Sequence, residues 1–226
     1  MLTLQGNGEK LMMRRITAAV AVLMGLCLSL FGASAASAFA ITPAGVLSAA
    51  PAGATTLSYT WQGQQTYYYC GPGSTRMVLS ARMSPPSQDT IAGWEGTTSN
   101  GTDDTANVVS ALNHFLNTGW YERKAVSDPP TQAQRDLLKQ DIVYDVDRGY
   151  GLVANVVSGW RPPGYPSGTI YHYVAIVGYA DDGDTAVIGD PAGGGAGGGS
   201  WSNVPQQYSI STYDLGTWIG EKAYAA

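Results

Sequence analysis

The sequence predicts an α+β fold in which N-terminal helices pack on an antiparallel sheet. Helical periodicity runs through residues 70–148, and apolar, β-branched segments follow from residue 152 onward. Helices grouped ahead of strands are typical of α+β domains, because α/β domains alternate the two. The turn at 181–184 separates two apolar segments and predicts a hairpin, so the sheet should be antiparallel there.

Residues 1–40 are predicted to be a signal peptide. Lys10, Arg14 and Arg15 precede an apolar segment at 16–31, and three A-x-A cleavage patterns end at residues 35, 38 and 40. The apolar segment is short for a membrane span, although a retained anchor is the alternative interpretation. We expect a secreted protein, extracellular or associated with the cell envelope, without stable membrane insertion after cleavage. Cys27 would be removed with the signal peptide.

A linker or short pro-segment is expected over residues 41–56, which are rich in Ala, Gly, Pro and Ser. Residues 57–226 then form a single domain. Its predicted helices cover residues 70–83, 87–94, 103–116 and 131–148. Pro72 suits the first turn of the first helix, and Asp103 and Asp104 suit the first turn of the third. Leu137 and Leu138 are expected to face inward from the fourth.

The strands follow these helices. They are predicted at residues 152–157, 171–179 and 185–190, with a further strand and a short helix after residue 208. The glycine-rich segment 193–199 is predicted to be a mobile loop that does not pack.

Composition excludes several classes of function. The chain has 226 residues, of which 12 are Lys or Arg and 17 are Asp or Glu, giving a net charge of -5. A nucleic-acid partner would favour a basic surface, so none is expected. With two Cys and two His in the whole chain, a structural zinc cluster is not expected either. We expect no metal and no organic cofactor.

Cys70 is the candidate nucleophile. It lies at the start of the first predicted helix, where the helix dipole and free N–H groups favour the thiolate. Gly71 and Gly73 would let other groups approach the sulfur. The alternative interpretation is a buried structural cysteine that packs as a small hydrophobe.

His172 is the candidate base. His114 should be solvated, because it falls opposite the apolar face of the third helix, whereas His172 opens an apolar strand and could be held at a sheet edge. The predicted hairpin brings Asp190 to the same end of the sheet, where a carboxylate would orient the imidazole. The alternatives are a hydrogen-bonded core histidine and an ordinary turn at 190–191.

A tetrahedral oxyanion needs hydrogen-bond donors beside the thiol. The side-chain amide of Gln64 and the backbone N–H of Cys70 are candidates, and Gln65 and Gln62 compete with Gln64. The candidate cleft walls are aromatic residues, namely Tyr67, Tyr68, Trp94, Trp160 and Trp201.

Together these motifs resemble the papain-like cysteine peptidases. The first motif is Gln64 followed, after five residues, by Cys-Gly-Pro at the start of a helix. Two further motifs lie far downstream, Tyr-His-Tyr-Val-Ala-Ile-Val-Gly-Tyr and Gly-Asp-Pro. The pattern is most similar to cysteine peptidase family thirty-nine, the bacteriocin-processing, double-glycine peptidases, and to their secreted stand-alone relatives. The resemblance implies a papain-like fold, with Cys70 as nucleophile, His172 as base and then acid, Asp190 as orienter and Gln64 as oxyanion donor.

The expected function is therefore a secreted cysteine peptidase that acts on a peptide or protein substrate. One alternative is an amidase or transpeptidase of the same fold that acts on cell-wall peptides. Another is a catalytically silent binding module. The sequence does not indicate an oligomeric state.

Overall fold

The computed structural model describes residues 53–157, 160–198 and 201–226. The predicted signal peptide and most of the predicted linker lie outside these residues. The described helices are α1 (Cys70–Ser80), α2 (Gln88–Glu95), α3 (Thr105–Leu116), α4 (Gln132–Val146) and α5 (Thr212–Ile219). The described strands are β1 (Thr55–Thr56), β2 (Arg123–Ala125), β3 (Leu152–Val157), β4 (Tyr171–Ala180), β5 (Thr185–Gly189), β6 (Gln207–Ser211) and β7 (Ala223–Ala225).

The strands form one antiparallel sheet in the order β2-β7-β3-β4-β5-β6, and β1 pairs with the far end of β4. The predicted hairpin joins β4 to β5 through residues 181–184. The last two residues of the linker predicted at 41–56 are β1, so they belong to the sheet. The pair β2 and β7 was not predicted, because three residues are too short to show an alternating pattern.

The sheet is antiparallel and its strands do not alternate one by one with helices, which confirms the α+β class. Helices cover both faces of this sheet. The core of α1, α2 and α3 includes one set of strand residues, such as Val153 and Ala175. The core of α4 and α5 includes the alternating set, such as Ala154 and Val174. Apolar residues on both sides of β3 and β4 require this double cover, because neither face tolerates water. The predicted N-terminal helices thus pack on the sheet as expected, and only their division between its two faces was not predicted.

Local signals explain most helix ends. The Thr131 and Gln134 side chains form a capping box at the start of α4. The Asp104 side chain caps α3, so α3 begins two residues later than predicted and Asp103 lies outside its first turn. Leu138 is buried, but Leu137 is 41% exposed and the prediction that it faces inward is wrong.

The glycine-rich segment is closely packed at Gly193 and Gly197, which contradicts the sequence prediction at these positions, whereas Gly194 and Gly198 are exposed. Residues Gly193–Gly195 form a short 3-10 helix, and Gly193 is buried against the backbone of Gln206. A Cβ on Gly197 would lie 2.7 Å from the carbonyl oxygen of Thr66 and 2.8 Å from Cγ of Gln64. At Gly193 and Gly197 a side chain would therefore collide with its neighbours. None of the described helices is both long and apolar enough to cross a membrane.

Candidate active site

A cleft of about 390 Å³ lies where the start of α1 meets the start of β4. Cys70 and His172 both line it. The other lining residues come from the α1 approach, the α2–α3 loop, β3, β4 and the C-terminal segment: Tyr67, Tyr68, Ser99, Asn100, Gly101, Thr102, Asp103, Asn155, Tyr171, Tyr173 and Lys222. The two residues predicted to react are therefore brought together.

Cys70 is the first residue of α1, and its side chain is 7% exposed. The glycines that follow it are required by close packing. A Cβ on Gly71 would collide with the hydroxyl of Thr102, and a Cβ on Gly73 would lie 2.9 Å from Cβ of Pro191. The start of α1 is thus held against the cleft wall on one side and the turn after Asp190 on the other.

The imidazole of His172 is buried and bonded to Asp190. The distance from Nε2 of His172 to Oδ1 of Asp190 is 3.0 Å, and neither side chain is more than 2% exposed. With Nε2 engaged by the carboxylate, Nδ1 remains for the cleft. His172 was expected at a sheet edge, but β4 lies inside the sheet; His172 lies at its beginning, beyond the last residue that pairs with β5.

Asp190 accepts three further hydrogen bonds that sequence reasoning missed. The Ala192 amide donates to Oδ1 at 2.9 Å, and the Tyr208 hydroxyl donates to Oδ2 at 2.8 Å. The Tyr165 hydroxyl also donates to Oδ2. Both tyrosines come from segments with no catalytic motif, so the sequence carried no signal for their convergence.

The pKa values of the pair shift as those of a buried ion pair do. Burial lowers the pKa of His172, but the charge and hydrogen bond of Asp190 and the nearby Cys70 outweigh it and raise this pKa to about 9. Burial raises the pKa of Asp190, but His172, Tyr165 and the Ala192 amide outweigh it and leave this pKa below its ordinary value. The charged forms of both groups are therefore favoured near neutral pH.

The three candidate glutamines differ in their surroundings. Gln64 is 6% exposed, and its backbone N–H donates to the carbonyl oxygen of Pro191 at 2.7 Å. Its side-chain oxygen has no partner among the described residues. Gln65 is exposed, and the Gln62 side chain accepts a hydrogen bond from Arg76. Gln64 is the most buried of the three and so the most rigidly held, but it is not among the residues that line the cleft.

Two of the five aromatic residues proposed as cleft walls, Tyr67 and Tyr68, line the cleft. The ring of Trp201 lies 5.0 Å from that of His172, whereas Trp160 packs on Trp218 in the core. Trp94 stacks on His114, with ring centroids 3.6 Å apart. His114 is exposed as expected and has no part in the cleft.

A thiol at a helix start, an imidazole and a buried carboxylate are the components of nucleophilic acyl transfer by cysteine. No group of three or more His, Cys, Asp or Glu among the described residues is arranged to hold a metal ion.

A family model gives the same assignment as the geometry. The model of the Peptidase_C39 like family matches residues 56–217. No curated protein matches the chain. One similar solved structure is the peptidase domain of Streptococcus ComA, a bifunctional ABC transporter involved in quorum sensing, with 18% identity and a TM-score of 0.44. That alignment covers 74% of this chain and 95% of the other.

Two other solved structures have comparable scores. A double glycine motif protease from an AMS/PCAT transporter, in complex with the leader peptide, has 15% identity and a TM-score of 0.46, and the alignment covers 77% of this chain and 94% of the other. UfSP from C. elegans has 14% identity and a TM-score of 0.45, with 77% and 33% covered. The family model spans well over half of the sequence and includes Cys70, His172 and Asp190. The chain therefore belongs to the Peptidase C39-like family and is a papain-like cysteine peptidase.

Proposed function

We propose that this peptidase is exported and hydrolyses peptide bonds with Cys70, His172 and Asp190 as its catalytic triad. The observation that carries the proposal is the buried 3.0 Å bond between His172 and Asp190, in a cleft that Cys70 also lines. A buried imidazole needs such a partner to hold one orientation and to carry charge. Cys70 is the first residue of α1, at the end of the helix where backbone N–H groups are free to bind an oxyanion.

The reaction would proceed in two acyl-transfer steps. The Cys70 sulfur attacks the peptide carbonyl carbon, and the Gln64 amide and the Cys70 N–H stabilise the oxyanion. The protonated His172 gives its proton to the leaving amine as the C–N bond breaks. Water then gives a proton to His172 and attacks the thioester, which releases the acid and restores the thiolate.

Peptides are the proposed substrates, and leader peptides and cell-wall peptides are the two classes to compare. The exposed rings of Tyr67 and Tyr171, 68% and 69% accessible, flank the cleft and would contact either. The double-glycine protease with a bound leader peptide supports testing Gly-Gly sequences first.

The test incubates the protein with a peptide library, a Gly-Gly leader peptide and a purified cell-wall digest, and products are read by mass spectrometry. We expect new termini with wild-type protein and none with Cys70→Ala or His172→Ala. His114→Ala is the matched control and should keep full activity, because His114 lies outside the cleft. Cleavage that survives in Cys70→Ala would refute the assignment.

Export is proposed from the N-terminal sequence alone. Expression in a bacterial secretion host, followed by N-terminal sequencing of the protein in the medium, tests it. We expect a new N-terminus after residue 35, 38 or 40. An intact N-terminus on cell-bound protein would contradict export with cleavage.

A further inference from the structure

Glu95 is a buried carboxylate that the proposed reaction does not use. It is the last residue of α2 and 1% exposed. No ion pair among the described residues includes it. The C-terminal end of a helix also disfavours a negative charge. A carboxylate placed there is costly, so its hydrogen-bond partners must explain its presence.

Those partners are two threonine hydroxyls, supported by a third that donates to one of them. Thr75 of α1 donates to Oε1 of Glu95 at 2.5 Å, and Thr102 donates to Oε2 at 2.9 Å. Thr97 lies 3.5 Å from Oε2 and 2.7 Å from the Thr102 hydroxyl. Since each hydroxyl has one proton, Thr97 donates to Thr102, which donates to Glu95. Both carboxylate oxygens are thus used as acceptors.

Thr97 and Thr102 are the two ends of a tight turn, residues 97–102, that forms one wall of the cleft. Inside this turn Thr98 and Gly101 exchange two backbone hydrogen bonds of 2.9 and 3.1 Å. Residues 99–102 line the cleft. The turn is therefore stiff in itself, and its attachment to the rest of the protein depends on its two ends.

We propose that Glu95 is a positioning residue that fastens this cleft wall to the helix carrying Cys70. The attachment is immediate, because a Cβ on Gly71 would lie 2.9 Å from Oε2 of Glu95 and would collide with Thr102. Burial raises the pKa of Glu95 to about 7, while the threonine hydroxyls act in the opposite direction. Glutamine cannot replace it, since an amide accepts through one atom only.

The inference rests on the proposed role of Cys70, and two reagents that alkylate the same sulfur separate the two ideas. Iodoacetamide is small and reports thiolate reactivity alone. A triglycyl chloromethyl ketone must also lie along the cleft before the sulfur displaces its chloride. Its rate therefore depends on the position of the cleft wall formed by residues 97–102. Rates are measured at pH 8 on the protein without its predicted signal peptide, residues 1–40.

We expect Glu95→Gln to slow the triglycyl reagent about tenfold, the equivalent of one lost hydrogen bond to a charged group, without slowing iodoacetamide. Thr75→Val should act in the same direction, and Thr75→Ser, which keeps the hydroxyl, should restore the wild-type rates. The Thr75 pair decides the question if Glu95→Gln does not fold.

Equal slowing of both reagents would mean that Glu95 acts on the nucleophile, and slowing of neither would mean that the wall does not need it. Either result overturns the proposal. The wild-type iodoacetamide rate judges the role of Cys70 separately. A rate no faster than that of an ordinary free thiol would refute that role whatever the variants do.

Discussion

At the scale of single residues, the carboxylate of Asp190 is the point on which four hydrogen bonds converge. Two of them, His172 and the Ala192 amide, share Oδ1, and the two tyrosines share Oδ2. A carboxylate with this many donors stays ionised and keeps one orientation. The fixed carboxylate can therefore set the orientation of the His172 imidazole.

Tyr208→Phe should lower stability and move the acidic limb of the Cys70 alkylation profile to higher pH. The variant removes a donor that favours ionised Asp190, so Asp190 would take up a proton at higher pH and release His172. A hydrogen bond to a buried charge is worth roughly 1.5–3 kcal/mol. Denaturant unfolding and iodoacetamide rates across pH measure the two effects.

The matched control is Tyr59→Phe, since the Tyr59 hydroxyl donates to the neutral side chain of Gln207 at 2.8 Å, where water can replace it. It should leave the alkylation profile in place. The interpretation of Tyr208 would be wrong if both variants shifted the profile alike.

Gln64→Ala should reduce kcat by roughly 10²–10³, the usual cost of losing an oxyanion donor. Alkylation of Cys70 should persist, since displacement of iodide forms no oxyanion. Gln65→Ala is the neighbouring control, because the exposed Gln65 is bonded through its backbone N–H to Gln88. Steady-state kinetics on a cleaved peptide provide the comparison. A larger loss in Gln65→Ala would transfer the role to that residue.

At the scale of elements, the glycine-rich segment after β5 supports Gln64 by close packing. Gly197 has a φ of +80° and lies against Thr66 and Gln64. Gly198 has a φ of +84°, and a methyl group added to it would meet no described neighbour within 4 Å. The two glycines share the same backbone strain and differ in packing. Comparing the two positions therefore separates the need for a positive φ from the need for close packing.

Gly197→Ala is therefore expected to lower kcat more than Gly198→Ala. Both variants lose stability from the positive φ, and Gly197→Ala loses more because its Cβ also meets the backbone of Thr66. The Cβ at 197 would push against Cγ of Gln64 at 2.8 Å and displace the oxyanion donor. Peptide cleavage and thermal unfolding of the two variants test this. Equal kcat values in the two variants would leave the segment without a role in positioning Gln64.

Most helices and strands were predictable from the sequence, whereas several contacts between them were not. Helix periodicity and the hairpin turn located α1 to α4 and the pair β4 and β5, which was enough to bring His172 and Asp190 to one end of the sheet. The contacts of Tyr165, Tyr208 and Glu95 depend on segments that are distant in the chain and meet in three dimensions, and no local pattern encodes that. The glycine-rich segment was misjudged because absence of side chains was taken for absence of packing.

For the whole molecule, the buried ionisable groups predict how stability varies with pH. The folded-state pKa values are raised to about 7 for Glu95, about 6 for Asp145 and about 9 for His172. Burial is the main cause for the two acids, and for His172 the charge of Asp190 outweighs burial. A group with a raised pKa binds its proton more tightly in the folded protein than in the unfolded chain, so its contribution is lost as pH rises.

Each group loses its contribution to stability over the pH range between its ordinary pKa and its pKa in the folded protein. Asp145 loses its contribution between about pH 4 and 6, Glu95 between about 4.5 and 7, and His172 between about 6.5 and 9. Asp190, whose pKa is lowered, acts in the opposite sense and loses its contribution as pH falls below its ordinary value of 3.8. Together they place the maximum of stability at mildly acidic pH.

We therefore expect the free energy of unfolding to peak near pH 4–5 and to fall steadily toward pH 9. Glu95 alone accounts for on the order of 3 kcal/mol of this fall, since one pKa unit corresponds to about 1.4 kcal/mol. Urea unfolding at fixed ionic strength measures the curve. Glu95→Gln lowers the whole curve but should flatten it between pH 4.5 and 7. A curve that rises from pH 5 to 8 would show that these buried groups are not protonated as their surroundings require.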